Sequence, residues 1–246
     1  MSDDELNLRI VGVEEGDEVG GARPVKLRTT RGEIPIILHQ PEVHEPEGHQ
    51  PESHRPEVGP PEVRAPGLRA AEAPGRAVLC ISGALGGFDG PGMLYVRLGQ
   101  ELPRLGITVA RLNYRMPNEF GECVLDTMAG LTFLKALRYE RAAIVGHSFG
   151  GAVAINAGTL APMVTTVIAV SSQLAGAHVV ADLAPRPLLL LHGTADTILP
   201  HECSERIYDR AQEPRTLKLF PGVGHRFTEA ADELLETARD WLVTGI

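Results

Sequence analysis

Cysteine is scarce in this 246-residue chain. Cys80, Cys123 and Cys203 have no paired spacing, which argues against a disulfide framework or a paired-cysteine zinc site and makes free thiols in a reducing compartment the simple reading. A surplus of positive charge is also missing. The formal net charge of −9 speaks against nucleic acid or an anionic membrane as a partner, because both attract basic faces. No apolar run approaches the ~20 residues that span a bilayer. Met1-Ser2-Asp3-Asp4-Glu5 lacks the positive start and apolar core of a secretory signal. A cytoplasmic protein is expected.

Proline is plentiful, with 19 residues, but unevenly placed. From Pro41 the chain repeats every five residues: Pro-Glu-Val-His-Glu, Pro-Glu-Gly-His-Gln, Pro-Glu-Ser-His-Arg, Pro-Glu-Val-Gly-Pro, Pro-Glu-Val-Arg-Ala, then Pro66. A proline at each fifth position removes backbone donors and biases its predecessor to extended conformations. With few apolar groups to bury, residues 40–75 read as a disordered, partly polyproline-like linker. His44, His49 and His54 recur within it. A flexible tract pays ordering entropy for each ligand it positions, and duplication alone explains the period, so no metal site is assigned. Residues 1–39 form a separate segment in which two runs, 24–30 and 33–38, flank Arg31-Gly32 as a hairpin.

Beyond residue 75 strands and helices alternate. Strand-like runs lie at 77–81, 107–112, 142–145, 164–170, 187–191 and 216–220, and helix-like stretches at 92–105, 122–138, around 205–210 and at 229–242. Right-handed crossovers between parallel strands then give a mostly parallel sheet with helices on both faces, an α/β fold, in a domain spanning 76–246. The informative stretch is Gly146-His147-Ser148-Phe149-Gly150-Gly151, which comes straight off Ala142-Ala143-Ile144-Val145 and runs into Ala152-Val153-Ala154-Ile155. A strand turning sharply into a helix presents the serine at its apex, glycines two positions either side relieve the crowding, and the helix N-terminus faces any anion formed there. A serine hydroxyl needs a base and a group that orients the base. Pro187-Leu188-Leu189-Leu190-Leu191 ends in His192-Gly193-Thr194-Ala195-Asp196, and the run at 216–220 is closed by Pro221-Gly222-Val223-Gly224-His225. Asp196 and His225 therefore occupy loops at the carboxyl ends of strands, where open sheets bind ligands. Alone, Asp196 could instead cap the following helix and His225 could be a surface histidine.

Ser148, Asp196 and His225 in that order, each in such a loop, resemble the α/β-hydrolase fold over roughly residues 77–243. The resemblance implies a nucleophile, an orienting carboxylate and a base in these three roles. It also implies an oxyanion hole made of the Phe149 N–H and a second donor from Ser82-Gly83-Ala84-Leu85-Gly86-Gly87, with Leu85 first choice and Ala84 the runner-up, Ser82 standing where the family has histidine. Family members often begin with an antiparallel edge pair, which the hairpin in 1–39 fits. Only residues 171–186 separate the runs at 164–170 and 187–191, so no large lid fits and transfer to water is favoured. The lidless pattern is similar to small serine esterases and to the dienelactone-hydrolase and prolyl-oligopeptidase branches, although Ser148 departs from the cysteine nucleophile of true dienelactone hydrolases.

The expected activity is hydrolysis of a carboxylic ester, thioester or amide in a small acyl substrate, without cofactor or metal. The alternatives are a non-hydrolytic enzyme of haloperoxidase or lyase type, or a binding protein that retains the triad. Pocket walls are expected from Phe88, Asp89, Met93 and Tyr95, from Tyr114, Arg115 and Met116, and from Gln173 and Leu174. Each of these is more readily scaffold than specificity determinant, and Arg115 more readily a loop anchor than a carboxylate binder.

Overall fold

The computed structural model describes residues 8–42, 68–71 and 75–246. Three strands at the amino-terminal end, β1 (Ile10–Glu15), β2 (Arg23–Thr29) and β3 (Gly32–His39), form an antiparallel meander. The turn at Arg31-Gly32 uses a glycine at φ 117°, and β2 and β3 are the expected hairpin. β1 was not legible, because in its run Ile-Val-Gly-Val-Glu-Glu only Gly12 is buried. The segment read as a linker falls largely outside the described residues. Its described stems meet: Gln40 Nε2 donates to the Arg69 carbonyl at 2.8 Å, and the Arg69 N–H donates back to Gln40 Oε1 at 3.3 Å.

Strand β4 (Gly75–Ile81) pairs in parallel with β5 (Ile107–Leu112) on one side and with β6 (Tyr139–His147) on the other. β7 (Val164–Val170), β8 (Leu188–Gly193) and β9 (Arg215–Phe220) follow in parallel, while β3 closes the far side against β5. The sheet order is β1-β2-β3-β5-β4-β6-β7-β8-β9. The chain leaves β4 towards β5 and then crosses back to β6. Loops after β4 and β6 thus diverge, opening a crevice at the carboxyl ends of adjacent strands.

The central parallel strands are largely apolar and buried because both faces are covered, whereas β9, Arg-Thr-Leu-Lys-Leu-Phe at the sheet edge, stays mostly half-buried. Ala77, Leu79 and Ile81 of β4 face a cluster completed by α2 (Phe120–Ala136), α3 (Phe149–Leu160) and Ile207 of α4 (Glu202–Arg210). Val78 and Cys80 face the other, with Leu94, Tyr95 and Leu98 of α1 (Leu94–Glu101) and Leu234, Leu235, Ala238 and Leu242 of α5 (Ala231–Gly245). Truncating any such fully buried leucine to alanine costs about 2–5 kcal/mol. The single helix expected at 92–105 is instead α1 between short 3₁₀ turns at Pro91–Met93 and Leu102–Leu105, since Gly92 and Met93 take positive φ and break the first turn. Cys80 is fully buried, and burial raises its thiol well above the ordinary range. Burial likewise pushes Cys123 up to about 12, so both are inert.

Candidate active site

The elbow is built from glycines. A Cβ on Gly146 would strike the Gly150 carbonyl, and one on Gly150 would strike the Ser82 carbonyl at the end of β4. With those side chains absent, β6 can turn into α3 within one residue, Ser148, at φ 58° and ψ −121°. A non-glycine residue there stores about 1–3 kcal/mol of backbone strain, which the surroundings must hold in place. They do so from both sides. The Ser148 N–H donates to the Val170 carbonyl at 2.8 Å, and its carbonyl accepts from the N–H groups of Gly151 at 3.0 Å and Gln173 at 3.2 Å. Ser148 is partly buried, and its hydroxyl makes no hydrogen bond among the described residues.

These contacts make Gly150→Ala a demanding change, since the obstructing atoms are backbone and cannot swing aside. Overpacking of this kind costs about 1–3 kcal/mol or more, and at about 2–4 °C per kcal/mol for a chain of this size the melting temperature should fall by about 2–12 °C. Gly121→Ala, in the first turn of α2 with nothing within 4 Å, should leave the melting temperature unchanged or raise it. Calorimetry on the two variants checks both expectations.

Asp196 and His225 are brought together by the packing of two loops. A Cβ on Gly193 would strike the Val223 carbonyl, and the Thr194 and Ala195 N–H groups donate to the Phe220 and Val223 carbonyls at 2.9 and 3.0 Å. The loops after β8 and β9 are thereby zipped, and His225 Nδ1 lies 2.6 Å from Asp196 Oδ2. Asp196 does not cap α4, whose N-cap is His201. Its Oδ1 instead accepts the N–H groups of Ile198 and Leu199, each at 2.9 Å. Burial acts to raise its pKa, but the Leu199 amide, the His225 ring and the Ile198 amide outweigh that and hold the carboxyl below its ordinary value.

His225 is tied to the residues beside the elbow, His147 and Ser171, through its main-chain carbonyl. The His147 Nε2 is 3.1 Å from the His225 carbonyl, the Ser171 hydroxyl donates to the same carbonyl at 3.4 Å, and the rings of His147 and His225 lie 4.7 Å apart. No hydrogen bond joins the Ser148 hydroxyl to the His225 ring among the described residues. Such contacts commonly close only when substrate is bound. Phe149 opens α3, so its N–H belongs to the helix's unpaired amino-terminal set. The loop after β4 lies over the elbow, and a Cβ on Gly83 would sit 3.5 Å from Ser148 Cβ. Its turn is closed by the Gly86 N–H donating to the Gly83 carbonyl at 3.0 Å, while the Ala84 and Leu85 N–H groups have no main-chain acceptor among the described residues. Leu85 points outward with its side chain 91 % exposed, whereas Ala84 packs against the cluster containing Phe149.

The expected pocket walls divide. Tyr95 is buried and donates to the Ile81 carbonyl at 2.8 Å, fixing the end of β4. Arg115 is a loop anchor, with Nε 2.5 Å from Asp126 Oδ1, NH2 2.8 Å from Glu122 and NH1 donating to the Arg31 carbonyl. Met93 and Met116 are exposed. Leu174 lines a cavity of about 300 Å³ with Pro200, Glu202, Cys203 and Arg206. Sequence reasoning gave no role to His147 or His192. The available signal was position, one residue before Ser148 and four before Asp196 on the same tight turn.

Burial and the neighbouring His225 hold the His147 pKa down at about 4, and burial with the Arg111 charge does the same to His39. Both are therefore neutral in the fold at pH values where an unfolded histidine, ordinarily near 6.5, takes up a proton. The unfolded state binds more protons between pH 6.5 and 4, so stability falls with pH across that window, by up to about 1.4 kcal/mol per pH unit for each histidine. Urea unfolding at pH 7.5 and 5 should show the lower midpoint at pH 5, and equal midpoints would contradict the buried-neutral assignment.

Comparison with known proteins agrees with this architecture. The chain is similar to an α/β serine hydrolase homologue from Coxiella burnetii (18% identity, TM-score 0.67, covering 92% of this chain and 98% of that one). It is also similar to a dienelactone hydrolase from Anabaena variabilis (14%, 0.67, 95% and 99%) and to a serine hydrolase without a lid from Xanthomonas campestris (18%, 0.62, 94% and 95%). At these identities the likeness establishes the fold. The uncharacterized protein YfhR of Escherichia coli (strain K12) is 44% identical over 50 residues, 20% of this chain and 18% of that protein, so the match spans under a fifth of the curated relative. The dienelactone hydrolase family model matches residues 109–241, more than half of the chain, and the chain belongs to this family of hydrolases.

Proposed function

We propose that the protein is a serine hydrolase of small acyl compounds, carboxylic esters first, acting through Ser148, His225 and Asp196. The observation that carries the reading is the 2.6 Å pairing of His225 Nδ1 with a carboxylate kept ionised by two backbone amides, on loops that meet the strained serine elbow. A carboxylate on Nδ1 fixes the proton there and leaves Nε2 free to act as a base.

In this reading Ser148 Oγ attacks the acyl carbonyl carbon while His225 takes the hydroxyl proton, and Asp196 stabilises the imidazolium. The carbonyl oxygen gains the charge, which the Phe149 N–H and the N–H of Leu85 or Ala84 would receive beside the α3 N-terminus. Collapse breaks the bond to the alcohol, which leaves with the proton from His225. Water, deprotonated by the same ring, then attacks the acyl-serine, releasing the acid and restoring Ser148. Ser148 departs from the cysteine nucleophile of true dienelactone hydrolases, and a serine depends more on its base, since cysteine alone is partly thiolate at neutral pH.

The short connection between β7 and β8, whose only regular element is the 3₁₀ turn Ala177–Leu183, supports an open site that admits water for the second step. Stopped-flow mixing with a para-nitrophenyl ester tests the proposal: one equivalent of nitrophenolate per chain should be released ahead of a slower steady state. A clean preparation that hydrolyses no ester, thioester or amide in a panel would overturn it.

A further inference from the structure

Resting on that reading of Asp196 and His225, we infer that His192 is a positioning residue that fixes the Asp196 carboxylate from beneath, through a neutral ring whose proton sits on Nε2. His192 is completely buried at the end of β8. Its Nε2 lies between two acceptors, Asp196 Oδ2 at 3.1 Å and the Leu199 carbonyl at 3.0 Å, while Nδ1 is 2.7 Å from the Ser204 hydroxyl of α4. Two acceptors require a proton on Nε2, and the serine hydroxyl can donate to a bare Nδ1, so all three contacts are satisfied by one neutral tautomer. Burial lowers the pKa of this ring and favours the same form.

Oδ2 is therefore shared between two imidazoles, His225 at 2.6 Å and His192 at 3.1 Å, and Oδ1 between two amides. With all four donors in place the carboxylate cannot rotate, and its approach to His225 Nδ1 is set. The second imidazole also draws charge from Oδ2, which moderates how strongly Asp196 holds a proton on His225. The titratable groups facing this network are Asp196 on its own loop, His225 after β9 and His147 at the elbow. From α4 the Ser204 hydroxyl bonds the ring, and Glu229 accepts from the Gly224 N–H on the exposed side.

Two substitutions separate positioning from space filling. His192→Asn places an amide near Nδ1, within reach of Ser204 but short of Asp196. His192→Gln extends an amide to the Nε2 position and can restore the donor to Oδ2. The Asn variant should lose about 10- to 100-fold in kcat, as expected for misplaced catalytic groups, with KM for an activated ester unchanged. The acid limb of its pH profile should move to higher pH, because Asp196 then holds the His225 proton more tightly. The Gln variant should recover most of the activity and the original limb. Titration of the His225 ring by nuclear magnetic resonance gives a readout independent of turnover: its pKa should rise in the Asn variant and return in the Gln variant. Equal losses in both variants with an unmoved His225 titration would assign His192 to packing alone, and a fully active Asn variant would remove any role. If the wild-type protein hydrolyses nothing, the serine-hydrolase reading fails, while the titration still decides the His192–Asp196–His225 coupling.

Discussion

Replacing Ser148 with alanine should lower kcat/KM for an activated ester by about 10⁴ or more, because what survives in such triads is binding and the oxyanion hole alone. The fold should tolerate the change. Ser148 Oγ has no hydrogen-bond partner to orphan among the described residues, and the strain at φ 58° is a property of the backbone that alanine shares. The melting temperature should stay near that of the wild type, which separates chemistry from misfolding. Activity within tenfold of wild type in a preparation free of contaminating esterase would transfer the nucleophile's role elsewhere.

Asp196→Asn should be nearly as severe for activity and worse for stability. Oδ1 accepts two backbone N–H groups, and Oδ2 faces His225 Nδ1 and His192 Nε2. An amide turned with its NH₂ towards the amides opposes donor to donor. Turned the other way, the NH₂ opposes the His192 donor and forces His225 to accept at Nδ1, so that Nε2 carries the proton and cannot serve as base. That tautomer error costs about 10⁴ in kcat in serine-protease triads. A buried donor or acceptor left unsatisfied costs a further 1–3 kcal/mol or so of stability. Steady-state kinetics together with thermal melting should show both losses in the same protein. Near-normal turnover would mean that Asp196 merely shapes its loop.

The central strands and the elbow were legible because their signals are local and redundant. Leu188 to Leu191 are buried on both faces, and Gly146 and Gly150 stand where side chains would collide with backbone. Chain order then placed Asp196 and His225 in neighbouring loops. What escaped the sequence was set by distant partners. β1 is a half-exposed edge strand that gains its identity by pairing with β2. The helix expected over 92–105 breaks at Gly92, where a Cβ would meet Ala231 Cβ and the Phe227 carbonyl at 3.0 Å, a packing constraint imposed by α5. His192 lies in an apolar run that reads as strand alone, and its bond to Ser204 depends on how α4 returns to the sheet. The Ala84–Leu85 alternative turns on where the loop after β4 settles over Ser148. Arg115, by contrast, is legible as an anchor, because a loop arginine close to the acidic start of a helix finds carboxylates locally.

The proposed chemistry requires one activated alcohol, and covalent trapping interrogates it directly. Incubation with a fluorophosphonate, followed by proteolysis and mass spectrometry, should place a single stoichiometric phosphonyl adduct on Ser148. Labelling should slow by orders of magnitude in His225→Ala, since an unassisted serine hydroxyl is a weak nucleophile. An adduct on another residue, no adduct at all, or undiminished labelling of Ser148 without His225 would contradict the account.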